Sequence, residues 1–440
     1  MQRMAKGVTW ITLAVIVIVL GAYAWGRLRP PTATQRHALT LLREDPAPPP
    51  GRNAFPVFWL MAFDVPADQL AAAYAKDRER MAAWHASYDW AHPTLAPQAH
   101  ADALTLTFLT EAERRSLCGP RDAGCIDEAR THALALHELL NAHPTLLAKD
   151  KSLADFDVLW NDMPKDPGVP MPPFEAASGL WQTAIALDYV DGMQAKALDD
   201  ACIQVKTLRR LHAHSNTMVG TLILGSRLRG AAHLVTQLLA ETPVETALPT
   251  SCGEAFAPVT ADDVNLCPQL GAEFAMLASP QILGRQEHWY DTVYLSRDLT
   301  LRLLAPHYAA ACEPATVQRT QADDGVATPP GPPAFDVFDL VANSAGVALS
   351  RTSLGDLTPE LQSQQDVAAS LRMGALILWL RESHGDGRSI SQRVAARPAW
   401  MRFGEDRQFD VAPDGRSITM YYRHDAHKEW PHAWPLPTGI

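Results

Sequence analysis

Residues 357–385 read LTPELQSQQDVAASLRMGALILWLRESHG, and this stretch decides the fold class of the chain. It opens with Thr358, a residue type that caps helix N-termini, and Pro359 follows at the first helical position. Gly385 stands just past the other end, where glycine commonly terminates a helix. The stretch therefore predicts one long helix with clear start and stop signals.

Helical patterns dominate the rest of the sequence as well. They cover residues 64–88, 126–147, 177–240 and 285–312, and residues 153–162, LADFDVLWND, are predicted to extend the bundle. One apolar stripe consists of Ile126, Ala129, Ala133, Leu136, Leu140, His143 and Leu147. Because these residues recur at alternating steps of three and four, they define one face of an amphipathic helix.

The sequence pattern changes near the C-terminus. Two short β-prone runs flank the turn sequence PDG in residues 407–425, which predicts a hairpin, and residues 429–437, EWPHAWPLP, suit an added edge strand. The predicted fold class is therefore mainly α. It comprises an N-terminal transmembrane helix, an irregular multi-helix periplasmic body and a small C-terminal β-hairpin element.

The strongest local signal lies near the N-terminus. Val8 to Trp25 form 18 residues without a charge. As a helix this stretch spans about 27 Å, against a hydrocarbon core of about 30 Å. A signal peptide shares the basic start and the apolar stretch, but residues 22–30, AYAWGRLRP, lack a small-x-small cleavage pattern. We therefore predict an uncleaved membrane anchor.

Composition divides the chain into four segments. Residues 1–29 are a cytoplasmic tip and transmembrane anchor, and residues 30–52 a Pro-rich juxtamembrane linker with room for a short helix. Residues 53–395 are predicted to form the helical periplasmic domain, as one domain or two, with a flexible excursion at about 313–334. Residues 396–440 are predicted to be a small β tail packed on the helical body.

The cysteines all follow the anchor, as Cys118, Cys125, Cys202, Cys252, Cys267 and Cys312. Their even number, without C-x-x-C or paired zinc-ligand spacing, favours disulfides over redox or metal chemistry. A preference for short loops predicts Cys118–Cys125 and Cys252–Cys267, which leaves Cys202–Cys312, although other pairings stay open. Since disulfides persist in oxidising compartments, the body is expected in the periplasm, on a single-pass protein of the bacterial inner membrane.

One short segment gathers residue types that bind metals. Residues 423–434, RHDAHKEWPHAW, contain His424, His427 and His432 among acidic residues. Their spacing matches no defined metal site, so a solvated polar loop is the favoured interpretation and no cofactor is predicted. The sequence also contains no G-x-S-x-G, S-x-x-K or phosphate-binding G-x-x-x-x-G-K-[ST] motif.

Several stretches together resemble a group of membrane-anchored, disulfide-containing proteobacterial envelope proteins of unknown activity. The stretches are GRNAFPVFWLMAFDVP, CGPRDAGC, LRRLHAHSNTMVG, LLAETPVETALPTSC, LILWLRESHGDGRSISQRVAARP, DGRSITMYYR and WPLP. The resemblance covers the chain from about residue 50 to the end. It implies an envelope protein and assigns no functional residue.

These features predict a membrane-anchored periplasmic binding or accessory protein without a recognisable catalytic motif. Its expected partners are the membrane and another envelope protein, because a net charge of −11 without a long basic run argues against nucleic acid. One alternative is an envelope hydrolase or metal-dependent enzyme that uses His424, His427 and His432. Another is an immunity-type protein that binds a periplasmic toxin.

Overall fold

The computed structural model describes residues 2–43, 47–88, 94, 96–97, 105, 108–119, 124–283, 291–325, 335–352, 355–385, 387–424 and 432–439. Helices make up most of this part of the chain, and the named strands form one antiparallel sheet near the C-terminus. The predicted mainly α fold class is confirmed.

The α-helices are α1 (Gln2–Leu28), α2 (Ala33–Arg43), α3 (Phe55–Trp59), α4 (Leu70–Ser87), α5 (Glu111–Ser116), α6 (Cys125–Ala142), α7 (Pro144–Ser152), α8 (Leu180–Val190), α9 (Gln194–Ala213), α10 (Met218–Glu241), α11 (Thr250–Ala255), α12 (Cys267–Leu277), α13 (Pro280–Leu283), α14 (Asp291–Tyr294), α15 (Arg297–Ala309), α16 (Pro314–Ala322), α17 (Val337–Ala342), α18 (Ser344–Thr352), α19 (Thr358–Glu382) and α20 (Ile390–Ala395). The strands are β1 (Phe409–Val411), β2 (Ser417–Met420) and β3 (His432–Pro435).

Helix α19 forms the centre of the body. Every residue from 363 to 378 is buried, and the helix packs against α10, which in turn packs against α9. The predicted long helix is confirmed, with one change at its start. Thr358 is the first helical residue rather than the cap, and the Asp356 carboxylate accepts a hydrogen bond from its backbone N–H at 2.9 Å.

The C-terminal tail forms the predicted hairpin and the predicted third strand. β1 pairs with β2, and β2 pairs with β3, so that Ile418 lies opposite Trp434. The hairpin turn contains Gly415 at φ +67°, a conformation that suits glycine. Ile418, Met420 and Trp434 are buried in the same core as the helices, so the tail packs on the body.

A buried ionic cluster ties this tail to α19. The Arg407 guanidinium donates to both oxygens of Asp323, at 2.6 and 2.7 Å, and to Asp366 of α19 at 2.9 Å. The backbone N–H groups of Arg423 and His424 also donate to Asp366, at 2.8 and 2.9 Å. Arg407, Asp323 and Asp366 have fully buried side chains, so these contacts replace water for all three charges.

Helix α1 is long and apolar enough over Gly7–Leu28 to cross a membrane, although signal sequences share that property. Its final turns pack on α17. A Cβ added at Gly26 would lie 2.5 Å from the carbonyl oxygen of Phe338, whereas nothing lies within 4 Å of the corresponding position at Gly21. Arg29 donates to Asp336 at 2.5 Å and also to Asp339. The end of α1 is therefore held by the body.

The segment predicted as a linker contains a helix that belongs to the packed structure. Leu39 and Leu42 of α2 are buried in a second, smaller core, together with Phe274 of α12 and Leu304 of α15. The short helix was predicted, but its packing was not. The apolar face of α2 adds its own layer to the body, and the exposed prolines Pro48 and Pro50 follow α2.

Two other predictions differ from the structure. Residues 153–162 do not continue the helical bundle, because a short 3-10 turn at Leu153–Asp155 is followed by an extended segment. In the predicted flexible excursion at 313–334, residues Pro314–Ala322 form α16, with Pro314 at its start and Asp323 in the left-handed conformation at its end. Residues 326–334 lie outside the described part.

All six cysteines form disulfides, and the predicted Cys118–Cys125 bond is confirmed. The other two predicted pairs are wrong, since Cys202 bonds to Cys252 and Cys267 bonds to Cys312. The reason is helix packing. Helix α11 lies along α9 and brings the Cα atoms of Cys202 and Cys252 to 4.8 Å, while α12 packs on α15 and brings Cys267 near Cys312.

We expect non-reducing peptide mapping of the mature protein to recover these three pairs. Each bond joins elements that already pack together, so correct pairing should follow folding. Mass spectrometry after proteolysis without reductant measures the result directly. After cleavage at the acidic residues between Cys252 and Cys267, a product in which these two cysteines are bonded to each other would contradict the helix packing described above.

We also expect Arg407→Met to lower the free energy of unfolding by about 3–5 kcal/mol, because the variant removes the fully buried cation that bridges two buried carboxylates. Among the described residues, Asp323 then keeps only its ion pair with Arg423, at 3.2 Å, and Asp366 only that with Arg229, at 4.0 Å. The matched control is Lys206→Met, which breaks an exposed ion pair with Glu254. It should change the free energy by less than about 1 kcal/mol. Urea unfolding in detergent, followed by tryptophan fluorescence, measures both. Similar losses in the two variants would show that the ionic cluster has no special role.

Candidate functional site

The predicted histidine cluster is only partly within the described residues. The side chain of His424 is exposed and its backbone N–H binds Asp366. His432 lies in β3, where its ring contacts that of Tyr422 at a centroid distance of 4.3 Å. His427 lies outside the described residues. Within the described ranges, no three His, Cys, Asp or Glu side chains gather in a way that would hold a metal ion.

An extended segment, residues 157–165, is fixed by hydrogen bonds from several other parts of the chain. Two asparagines fix it by binding its backbone from different parts of the chain. Asn53 donates to the carbonyl oxygen of Trp160 at 2.7 Å and accepts from the Trp160 N–H at 2.9 Å. Asn216 makes the same pair of bonds with Asn161, at 3.0 and 2.7 Å. Each side-chain amide thus makes the two backbone hydrogen bonds that a neighbouring strand would make in a sheet.

Backbone hydrogen bonds also hold the extended segment 157–165 in place. The N–H of Ala54 donates to the carbonyl oxygen of Val158 at 2.8 Å, and the N–H of Leu159 donates to that of His214 at 3.0 Å. Isolated parallel bridges therefore join the segment to residues 53 and 215 on its two sides. An extended stretch with this many partners holds its side chains in a defined arrangement without belonging to a sheet.

A groove of about 530 Å³ runs between this segment and helix α4. Its lining residues are Arg78, Glu79, Ala82, Trp160, Asn161, Asp162, Met163, Pro164 and Lys165. Trp160 and Met163 are buried, whereas Arg78, Glu79 and Ala82 are exposed. The groove therefore combines an apolar floor with two cations and two carboxylates.

Asp162 is held in the groove by two side chains of α4. Its carboxylate accepts hydrogen bonds from the hydroxyl of Tyr74 and from the guanidinium of Arg78, both on α4. Burial raises the pKa of the Tyr74 hydroxyl, and the bond to Asp162 raises it further, so Tyr74 stays a hydrogen-bond donor. On the other side, Lys165 donates to the carbonyl oxygen of Asn161 at 2.8 Å. The charges are thus positioned before any ligand binds.

The short helix α3, which follows Asn53, is held at its far end by a buried lysine. The Lys149 ammonium donates to the carbonyl oxygens of Leu60, at 2.8 Å, and Phe63. Burial lowers the pKa of Lys149 to about 8. Lys149 therefore helps to fix α3. Asn53, which binds the extended segment 157–165, lies just before this helix.

A second cavity, of about 310 Å³, lies where the end of α1 meets α15 and α17. Arg29 and Arg302 line it, but Arg29 binds Asp336 and Asp339, and Arg302 binds Asp298. Its cations are therefore neutralised by neighbouring carboxylates. The groove beside α4 is the stronger candidate site, because it is larger and places Glu79 and Lys165, in addition to the Arg78–Asp162 pair, next to an apolar floor.

Sequence reasoning missed this groove because its parts are far apart in the chain. Asn53, Tyr74, Asp162 and Asn216 meet only when α3, α4 and the loop before α10 pack against the extended segment. The cluster of turn-forming residues in NDMPKDPG, residues 161–168, was the available signal. Of the two histidines of RLHAHS, His212 is buried beside Gly225 in the core, whereas a ring nitrogen of His214 lies 3.3 Å from the carbonyl oxygen of Asp157.

Lys149 leads to a prediction about alkaline pH. Between pH 8 and pH 10.5 the unfolded chain keeps a proton that folded Lys149 has released. The free energy of unfolding should therefore rise by about 2–3 kcal/mol across this window, and this contribution should be constant below it. Urea unfolding at several pH values should show the rise in the wild type and in Lys151→Met, a control on the same helix. The rise should be absent in Lys149→Met, and parallel curves would contradict this assignment.

Comparison with models of protein families, with curated proteins and with solved structures found no match for the chain. Membership in the group of envelope proteins that the sequence resembles therefore stays a prediction.

Proposed function

We propose that this protein is a membrane-anchored binding or accessory protein of the bacterial periplasm, and that the groove beside α4 receives a polypeptide segment of another envelope protein. The single observation that carries the binding role is the groove segment, residues 157–165, which two asparagines clamp without completing a sheet. Such a fixed surface reduces the entropy lost on binding.

Several features support membrane anchoring with the body in the periplasm. The helix Gly7–Leu28 is long enough to span a bilayer, and its last turns contact the body through Gly26 and Arg29. Cleavage as a signal sequence would remove these contacts, which favours an anchor that is retained. The three disulfides favour an oxidising compartment, and an inner-membrane protein with a periplasmic body satisfies both conditions.

The composition of the groove favours a polypeptide ligand. Trp160 and Met163 offer apolar contact in the floor, and Arg78, Glu79, Asp162 and Lys165 provide charges of both signs around it. An extended polypeptide presents apolar side chains, peptide groups and charges of both signs, which such a surface can match. A periplasmic toxin would be one class of partner, so an immunity function is a special case of the same proposal.

Filling the groove should abolish binding. Ala82 lines the groove, while its neighbour Ala83 is also exposed on α4 but does not line it, so the two sites form a matched pair. We expect tagged Ala82→Arg to recover the specific partner from detergent-solubilised envelopes at least tenfold less than the wild type. Ala83→Arg should recover it normally.

Quantitative mass spectrometry of the purified complexes measures this difference. Both variants should keep the unfolding midpoint of the wild type, which separates lost binding from lost folding. If Ala82→Arg recovered the same proteins as the wild type, or if no protein were specific to the wild type, the binding function would be wrong.

A further inference from the structure

The helix α17 exposes apolar side chains that the body does not cover. Val337 and Leu340 are 61% and 47% exposed, and Phe335, just before the helix, is also exposed. Val337 and Leu340 are three residues apart and therefore share one face. On other sides of the helix, Asp339 is buried against Arg29 and Ala342 lies beside Gly26. The helix is thus anchored on one side and apolar on the other.

The contact between α17 and α1 determines where this apolar face lies. Residues 7–21 of α1 are exposed, whereas Ala22, Tyr23, Gly26, Arg27 and Arg29 are wholly or partly covered by the body. With a rise of 1.5 Å per residue, this covered part is about 10 Å long. It begins about 4 to 5 Å inside the apolar stretch that ends at Trp25.

The length of the anchor leaves little freedom in its depth. The uncharged stretch from Val8 to Trp25 spans about 27 Å, slightly less than a hydrocarbon core of about 30 Å. Trp25 must therefore lie close to the boundary between acyl chains and headgroups. Because α17 contacts α1 around Gly26, it must lie at the same level, where amphipathic elements bury an apolar face by about 5–10 Å.

The surroundings of α17 suit such an interface. Tyr294, at the end of the neighbouring α14, is exposed, and Trp25 on the anchor is exposed as well. Tyrosine and tryptophan are enriched at this level of a membrane. The Arg351 guanidinium lies 5.5 Å from the centre of the exposed Phe335 ring. A cation therefore lies next to this apolar side chain.

We propose that α17, together with Phe335, is a second membrane contact, which lies in the leaflet on the side of the body with Val337 and Leu340 against the lipid. This inference rests on the proposed function in one respect, namely that α1 spans a membrane. The occupant of the exposed face is the bilayer itself, because the anchor brings lipid to that place in every membrane-inserted copy.

The test places a photo-reactive benzoylphenylalanine at single positions of the full-length chain in vesicles of phosphatidylethanolamine and phosphatidylglycerol. The test positions are Val337 and Leu340. Leu134 is the matched control, since it is a leucine of α6 with 75% exposure, and α6 packs on α7, α8 and α10. Ile16, in the middle of the apolar stretch, reports whether α1 is inserted. Mass spectrometry after irradiation counts the lipid adducts.

We expect lipid adducts at Ile16, Val337 and Leu340, with yields at the last two positions at least fivefold above that at Leu134. Adducts at Ile16 with only the Leu134 yield at both test positions would overturn the inference while leaving the anchor intact. Adducts from α17 to a second copy of the chain instead of lipid would also overturn it. No lipid adduct at Ile16 would instead refute the anchor, and with it the proposed function.

Discussion

The body depends on a single constraint, which is that helix α19 is surrounded by protein on every side. A helix in this position cannot turn its polar residues toward water, so each of them needs a partner from a neighbouring segment. Asp366 binds Arg407 and two backbone N–H groups of the tail, and Gln365 donates to the carbonyl oxygen of Asp324 at 2.6 Å. The polar residues of α19 thus determine which segments pack around it.

The same constraint operates at the other end of α19. The Arg381 guanidinium donates to the carbonyl oxygens of Thr242, Pro243 and Thr246, which follow the end of α10. These residues have no regular secondary structure, so their backbone groups need partners from elsewhere. Buried cations therefore fasten irregular segments to the central helix at both ends. The β tail is consequently part of the body rather than an appended unit.

A feature of this fold could be predicted from the sequence where it depends on residues that are close together in the chain. The ends of α19, the hairpin around Gly415 and the Cys118–Cys125 bond follow from neighbouring residues, and the sequence predicts them. The Cys202–Cys252 bond depends on how α11 packs along α9, which loop length does not reveal. The groove was missed for the same reason. Asn53 and Asn216 acquire their role only when distant segments meet at Trp160 and Asn161.

The packing of α2 and α17 bears on the proposed role of α1 as a membrane anchor. A Pro-rich linker would act as a semi-rigid spacer that holds the body away from α1. Instead, Arg27 donates to the carbonyl oxygen of Val293 at 3.2 Å, and Arg302 donates to that of Arg29 at 2.9 Å. The chain then enters α2, which is buried in the body. Because the body holds the end of α1, a bilayer that received α1 as the proposed anchor would also orient the body. A partner in the same membrane would therefore meet the groove in a restricted set of orientations, which lowers the rotational entropy lost when the two bind.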